Sequence, residues 1–250
     1  MKYKITNNIM INRIVQINKK WSDHFSTKKE FFCTEMESYT DTLKMLIEKS
    51  LNSANSILEV GGIDRPLWYK NKDLIYDGLD IEYKDKCEEI YDHFIVQSIE
   101  EPVNGKYDLI ISRTLLEHVP DNKKAFNSIY QALSEHGETI HYLPSKYHIY
   151  SLILRLVGNK GQRFLIKKLR PWAADVTGYP TFFNYCSPRQ MRKLLAETGF
   201  KSIKITCFYH ANDYFSFCFP LFLLVTLWEN LCKKLNLETF CAGFVVEAHK

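Results

Sequence analysis

Between residues 56 and 143 the chain alternates short apolar runs with stretches that can form helices, and no other feature narrows its fold as far. Ser56–Val60 (SILEV) leads into Gly61-Gly62. Leu74–Ile81 (LIYDGLDI), Phe94–Gln97 (FIVQ), Tyr107–Ser112 (YDLIIS) and Glu138–Leu143 (ETIHYL) follow. Short apolar strands alternating with helices imply βαβ units around a mostly parallel sheet, an α/β fold. Pro120-Asp121 opens a helix from about Asn122 to Ser134, with Ala125, Ile129, Ala132 and Leu133 on one face and Gly137 as its stop. Further on, Ser187 caps and Pro188 begins a second helix, with Met191, Leu194 and Leu195 as its apolar face and Gly199 as its end. Lys201–Phe208 and Phe240–Ala248 read as two more strands.

Residues 1–54 read as an N-terminal helical segment. Thr40-Asp41-Thr42 precedes Leu43, Leu46 and Ile47, which share a helical face, and Asn52, Ser53 and Asn55 break that pattern. Residues 55–250 then form the main domain, with two interruptions. Residues 144–186 are rich in aromatic and basic side chains and in Gly and Pro, as expected of a lid or insertion. Residues 213–236 are an apolar helical insertion before the last strand.

Charge and cysteines exclude several classes. The 33 basic and 29 acidic residues leave a net charge of +4. A nucleic-acid binder gathers its positive charge into a patch, so no nucleic-acid partner is expected. The nearest cluster is Lys160, Arg163, Lys167, Lys168 and Arg170. It reads as a solvated helix face, or as a contact for phosphate on a membrane or on a nucleotide- or polyprenyl-linked sugar. The seven cysteines are odd in number and contain no CxxC, so neither a zinc site nor a disulfide framework is expected. With no apolar signal core in Met1–Ile17, the expected setting is cytoplasmic. Tyr214–Trp228 carries no charge but is too short for a span, which needs about 20 apolar residues. It reads as a buried helix, or as a surface that rests peripherally on the inner face of a membrane or grips a lipid-linked substrate.

The chemistry-bearing residues form an ordered set at strand ends. Ligands of open α/β sheets bind outside the carboxyl ends of the strands. Glu59-Val60-Gly61-Gly62 ends the first strand, and glycine there lets the backbone approach a ligand closely. Asp80 ends the second strand about 20 residues later, where a carboxylate can accept both hydroxyls of a ribose. Gln97-Ser98 ends the third. Tyr107 to Val119 (YDLIISRTLLEHV) covers the fourth and its loop.

This combination, ILEVGG…GLD…YDLIISRTLLEHVPD, resembles the class I S-adenosylmethionine-dependent methyltransferases, in particular the small-molecule branch called type 11 or type 12. The resemblance covers roughly Ser56 to Leu143, and extends more loosely through Glu197–Ile205 (ETGFKSIKI) to the end. It implies a Rossmann-like, seven-stranded, mostly parallel sheet with an antiparallel last strand, N-terminal helices and an inserted lid. It also implies S-adenosyl-L-methionine as cofactor. Glu59 would then order the loop near the methionine amino group, with Gly61 and Gly62 beneath the cofactor. Asp80 would bind the ribose and Ile81 would pack on the adenine. Ser98 and Ile99 would contact the adenine amine and ring. Arg113, Thr114 and Leu115 would line the cofactor and face the acceptor. His118, in the Glu-His pair, and His141, on the fifth strand, are the candidate bases, each weighed against a packing role.

The family's first motif runs acid-x-Gly-x-Gly, and here Ile63 stands at the second glycine. A β-branched residue at positive φ is strained. An inactive binding or scaffold protein on the same fold is therefore the alternative to an enzyme. A nicotinamide-dependent oxidoreductase lacks its GxGxxG fingerprint here. The expected reaction is methyl transfer to a small-molecule acceptor or to a glycan or lipid-linked one.

Overall fold

The computed structural model describes residues 2–28, 31, 38–70, 73–169 and 179–250, without the side chains of 2–12, 159–160 and 162–169. Cys33 and Arg170, and the side chains of Lys160, Arg163, Lys167 and Lys168, lie outside the described residues. The chain divides into two compact units. Unit 1 comprises Met1–Glu37, Tyr147–Gly178 and Tyr209–Ala242, and unit 2 comprises Ser38–Lys146, Tyr179–Phe208 and Gly243–Lys250.

Unit 2 is built on a seven-stranded sheet. Its strands are β1 (Ser56–Val60), β2 (Ile75–Asp80), β3 (Phe94–Val96), β4 (Tyr107–Arg113), β5 (Leu133–Pro144), β6 (Lys201–Phe208) and β7 (Gly243–His249), in the order β3-β2-β1-β4-β5-β7-β6. Strands β1 to β5 pair in parallel, while β7 runs antiparallel to both β5 and β6. The strand order reverses between β1 and β4, where Val60 pairs with Ser112. Such a switch point opens a crevice at the carboxyl edge of the sheet. The strands are apolar because helices cover them: Ile57, Leu58, Leu109, Ile110, Ile111 and Ile140 are fully buried. Helix α2 (Tyr39–Ser50) buries Leu43, Leu46 and Ile47, with the Ser38 hydroxyl capping its first turn through the Asp41 N–H. Helix α3 (Cys87–Ile90) is a single turn. Helix α4 (Asn122–Ala132) starts at Asp121, whose carboxylate accepts from the N–H groups of Lys123 and Lys124.

Several boundaries differ from expectation: β7 starts at Gly243 and not at Phe240, which ends the short helical turn Glu238–Phe240. Helix α4 ends at Ala132, and Gly137 lies inside β5. A Cβ on Gly137 would lie 3.0 Å from the carbonyl oxygen of Tyr107, so the glycine permits close strand pairing and does not stop a helix. Helix α6 (Pro188–Thr198) ends as expected at Gly199, in the left-handed conformation at φ 109.

Unit 1 contains α1 (Lys2–Ser26), α5 (Ile149–Leu169, broken by Gly158 at φ 66) and α7 (Phe219–Lys234). Pro220 begins α7 and does not interrupt it, because the N–H that proline lacks has no helical partner there. The core of the unit is Phe215, Phe222 and Val225, packed with Phe25, Ile153 and Phe219. Among the described residues no helix is long and apolar enough to cross a membrane.

Candidate functional site

The site lies at the carboxyl edge of β1, β2 and β4, all in unit 2. The turn after β1 begins with Gly61 at φ 84, its N–H bonded to the carbonyl of Leu79 at 2.8 Å. A Cβ there would lie 2.9 Å from Leu115 Cδ1. At Gly62 a Cβ would meet the Tyr91 hydroxyl at 2.1 Å and Glu59 Oε1 at 2.5 Å. Neither position has room for a side chain. Ile63 takes the left-handed backbone at φ 44 and half-buries its side chain against the main core. The strain of a β-branched residue there is thus offset by apolar burial.

Glu59 is buried beneath this turn. Both its oxygens accept the N–H of Leu67 at 3.0 Å, and one also accepts the Tyr76 hydroxyl. Burial pushes its pKa up to about 7, against those two hydrogen bonds and the nearby Arg113 charge. The carboxyl thereby ties the loop from Gly61 to Leu67 onto β1 and β2.

Asp80 ends β2 almost buried, and its Oδ1 accepts the N–H of Glu82 at 2.9 Å. Burial raises its pKa above the usual carboxylate value. Beside it Ile81 is 63% exposed. A nearly buried carboxylate acceptor and an apolar side chain offered to solvent thus stand side by side at this edge. Ser98 lies at the end of β3, where its hydroxyl accepts the Glu100 N–H at 3.2 Å. Ile99 is buried. Glu100 Oε1 accepts the N–H of Asp121 at 2.9 Å, which joins the loop after β3 to the start of α4. Arg113 ends β4 half-buried, and Thr114 follows at φ 50.

Part of the segment 144–186, expected from sequence as a lid or insertion, comes to this edge: Tyr179 to Phe183 runs between the ends of β2 and β4. The Tyr179 hydroxyl bonds Glu82, and this bond with the surrounding acids pushes its pKa up to about 12. The Tyr179 ring meets His118 edge-on at 6.0 Å. His118 Nδ1 bonds the Pro180 carbonyl at 2.9 Å, and the N–H groups of Phe182 and Phe183 donate to the Glu117 carbonyl at 2.8 and 3.1 Å. The Glu117 side chain is buried, and its Oε2 has no hydrogen-bond partner among the described residues. Burial pushes its pKa up to about 8. The Glu-His pair was visible in the sequence. That Tyr179 and Pro180 of the expected lid meet His118 was not, because more than sixty residues separate them.

His141 does not stand at the site. It is fully buried, its Nδ1 2.7 Å from the Ser112 hydroxyl, its Nε2 against the Thr139 hydroxyl and its ring edge-on to Phe126. Burial pushes its pKa down to about 3. A neutral imidazole with both nitrogens engaged inside the core is a packing residue, so the expectation of a base at His141 is corrected.

Residues 33–205 match the family described as Methyltransferase domain. The chain belongs to that family, the class I S-adenosylmethionine-dependent methyltransferases, and its cofactor is S-adenosylmethionine. Similar solved structures include a SAM-dependent methyltransferase from Archaeoglobus fulgidus, with 13% identity and a TM-score of 0.53 over 89% of this chain and 97% of that one. A possible histamine N-methyltransferase from Thermotoga maritima shares 13% identity with a TM-score of 0.52, over 84% of this chain and 89% of that one. The CurJ carbon methyltransferase shares 16% identity with a TM-score of 0.51, over 86% of this chain and 56% of that one. No curated protein sequence matches the chain. These likenesses are to the fold.

Proposed function

We propose that the chain transfers a methyl group from S-adenosylmethionine to a small-molecule acceptor, free or carried on a glycan or lipid. The supporting observation is Asp80, a buried carboxylate at the switch-point edge beside the exposed Ile81. In this reading Asp80 accepts the ribose hydroxyls and Ile81 covers one face of the adenine. Ser98 borders the adenine, while Ile99 acts from the core by holding that loop. Gly61 and Gly62 let the turn pack closely on Leu115, Tyr91 and Glu59 beneath the methionine end, Glu59 holds their loop, and Arg113 borders the cofactor from the end of β4. When bound, the cofactor supplies an electrophilic methyl, so the chain contributes position and exclusion of water. His118, its pKa lowered by burial, is neutral at physiological pH and can take a proton from an acceptor only through Nε2, since Nδ1 is engaged by Pro180.

Calorimetric titration with S-adenosylmethionine and S-adenosylhomocysteine tests the site. Micromolar binding is expected for the wild type, with a loss of tenfold or more in Asp80→Ala. Absence of binding by wild type at millimolar ligand would overturn the assignment. Equal affinity in both proteins would remove Asp80 from the ribose.

A further inference from the structure

Helix α7 carries apolar side chains on both faces. Its inward face mixes Phe222, Val225 and Cys232 with polar residues. Thr226, Glu229 and Asn230 are buried. Glu229 Oε1 accepts the Ala211 N–H at 3.0 Å and lies 3.0 Å from His148 Nε2. The Thr226 hydroxyl accepts from Asn212 Nδ2 at 2.7 Å, and Asn230 Nδ2 donates to the Phe31 carbonyl at 2.7 Å. Its leucines face outward: Leu224 is 66% exposed, Leu227 57% and Leu231 45%. Their spacing of three and four residues makes one continuous stripe. Helix α1 carries a parallel feature, with Ile14, Ile17 and Trp21 exposed at the same spacing. Trp21 meets Phe219, in the first turn of α7, edge-on at 5.4 Å. On α5, Leu156 is exposed as well.

Exposed cations stand close in sequence to the apolar groups of α1 and α5 and at the end of α7: Arg13 and Lys20 on α1, Arg155 on α5 and Lys234 on α7. The asymmetry extends to the whole chain. The three segments of unit 1 hold 15 Lys and Arg against 8 Asp and Glu, a net +7, while unit 2 holds the other 18 against 21, a net −3, and together they make the chain's +4. Leucines and an exposed tryptophan flanked by long cationic side chains are the composition of a surface that sits at a lipid headgroup boundary. A second copy of the chain would bring +7 against +7, whereas an anionic leaflet complements that charge.

We infer that the outward leucine stripe of α7, with the exposed face of α1, docks unit 1 peripherally on a bilayer containing anionic lipid. The apolar stripe inserts to the depth of the headgroups and the flanking cations pair with lipid phosphates. The inference is independent of how the cofactor is held.

Flotation of the full chain with vesicles tests it. One set is phosphatidylcholine alone, the other an equal mixture with phosphatidylglycerol. The wild type should float with the mixed vesicles about tenfold more than with the neutral ones, and high salt should remove most of the difference. Leu224→Glu with Leu227→Glu should lose flotation by about tenfold, with Tm and S-adenosylhomocysteine affinity unchanged because both side chains already face water. Lys20→Glu with Arg155→Glu should remove the preference for the anionic set. A wild type that floats with neither set overturns the inference. So does a leucine variant that floats undiminished, or a stable dimer that fails to float and that the leucine variant converts to monomer. Since cofactor affinity is read separately, failure here leaves the proposed function standing, and failure there leaves the docking face standing.

Discussion

Helices α6 and α7 divide their faces differently. In α6, Met191, Leu194 and Leu195 are buried while Arg189, Arg192, Lys193 and Glu197 face solvent. In α7 the buried face includes Thr226, Glu229 and Asn230, and the exposed stripe is leucine. Both follow the helical period. What differs is the partner. Helix α6 packs on α4 and β6, so its inward face must be apolar. Helix α7 meets His148, Ala211, His210 and Asn212, which present a ring nitrogen, a free N–H and an amide. A buried donor without an acceptor costs more than a buried leucine gains, so polar residues are drawn inward.

The sharpest way to break this comparison is Glu229→Ala. It leaves His148 and the Ala211 N–H buried without their acceptor and should cost about 3–5 kcal/mol in urea unfolding. A loss below about 1 kcal/mol would mean that the polar inner face of α7 is tolerated and not needed. Next comes Leu194→Ala in α6, a plain cavity expected to cost about 2–5 kcal/mol. If Glu229→Ala were as mild as a surface change while Leu194→Ala kept its cost, the two helices would differ in composition only and not in how they hold the fold.

A pH-dependent effect carries the comparison to the sheet. Glu117, like Glu229, is buried with its Oε2 unpartnered among the described residues. Its pKa rises from 4.5 to about 8. A raised folded-state value means the stabilising contribution is full below about 4.5 and is lost as pH rises through about 8. The wild type should therefore lose at most about 1.4 kcal/mol per pH unit across that window. Glu59, raised to about 7, adds a slope of the same sign. Glu117→Gln should flatten the fall in Tm between pH 5 and pH 9 by up to about ten degrees, leaving the slope set by Glu59 and the other shifted groups. Identical slopes in variant and wild type would show Glu117 already ionised in the folded state.

Much of the sheet was legible, because its determinants are local. Ile57, Leu58, Ile110 and Ile111 are apolar in unbroken runs, Gly199 ends α6 where the period ends, and the acid at Asp80 falls at the end of β2. The carboxyl-edge location of the site follows from that order alone. Gly137 misled because a glycine after a helix reads as a stop, and its use as a gap for the Tyr107 carbonyl depends on a strand far away in sequence. His141 stayed open between base and packing because strand alternation does not tell which face of a covered sheet a side chain meets, or that Ser112 and Thr139 already engage its ring.

The amino-acid order by itself determined the parallel α/β core, the glycine turn after β1, the acid at the end of β2 and the family these define, since each depends on neighbours within a few residues or on a fixed spacing between strand ends. Only tertiary structure decided which side of α7 is inside, where the Ile63 side chain goes, that Tyr179 and Pro180 reach the Glu-His pair, and that His141 is core. Those depend on groups brought together across long stretches of chain, where the need to satisfy buried polar atoms outweighs local propensity.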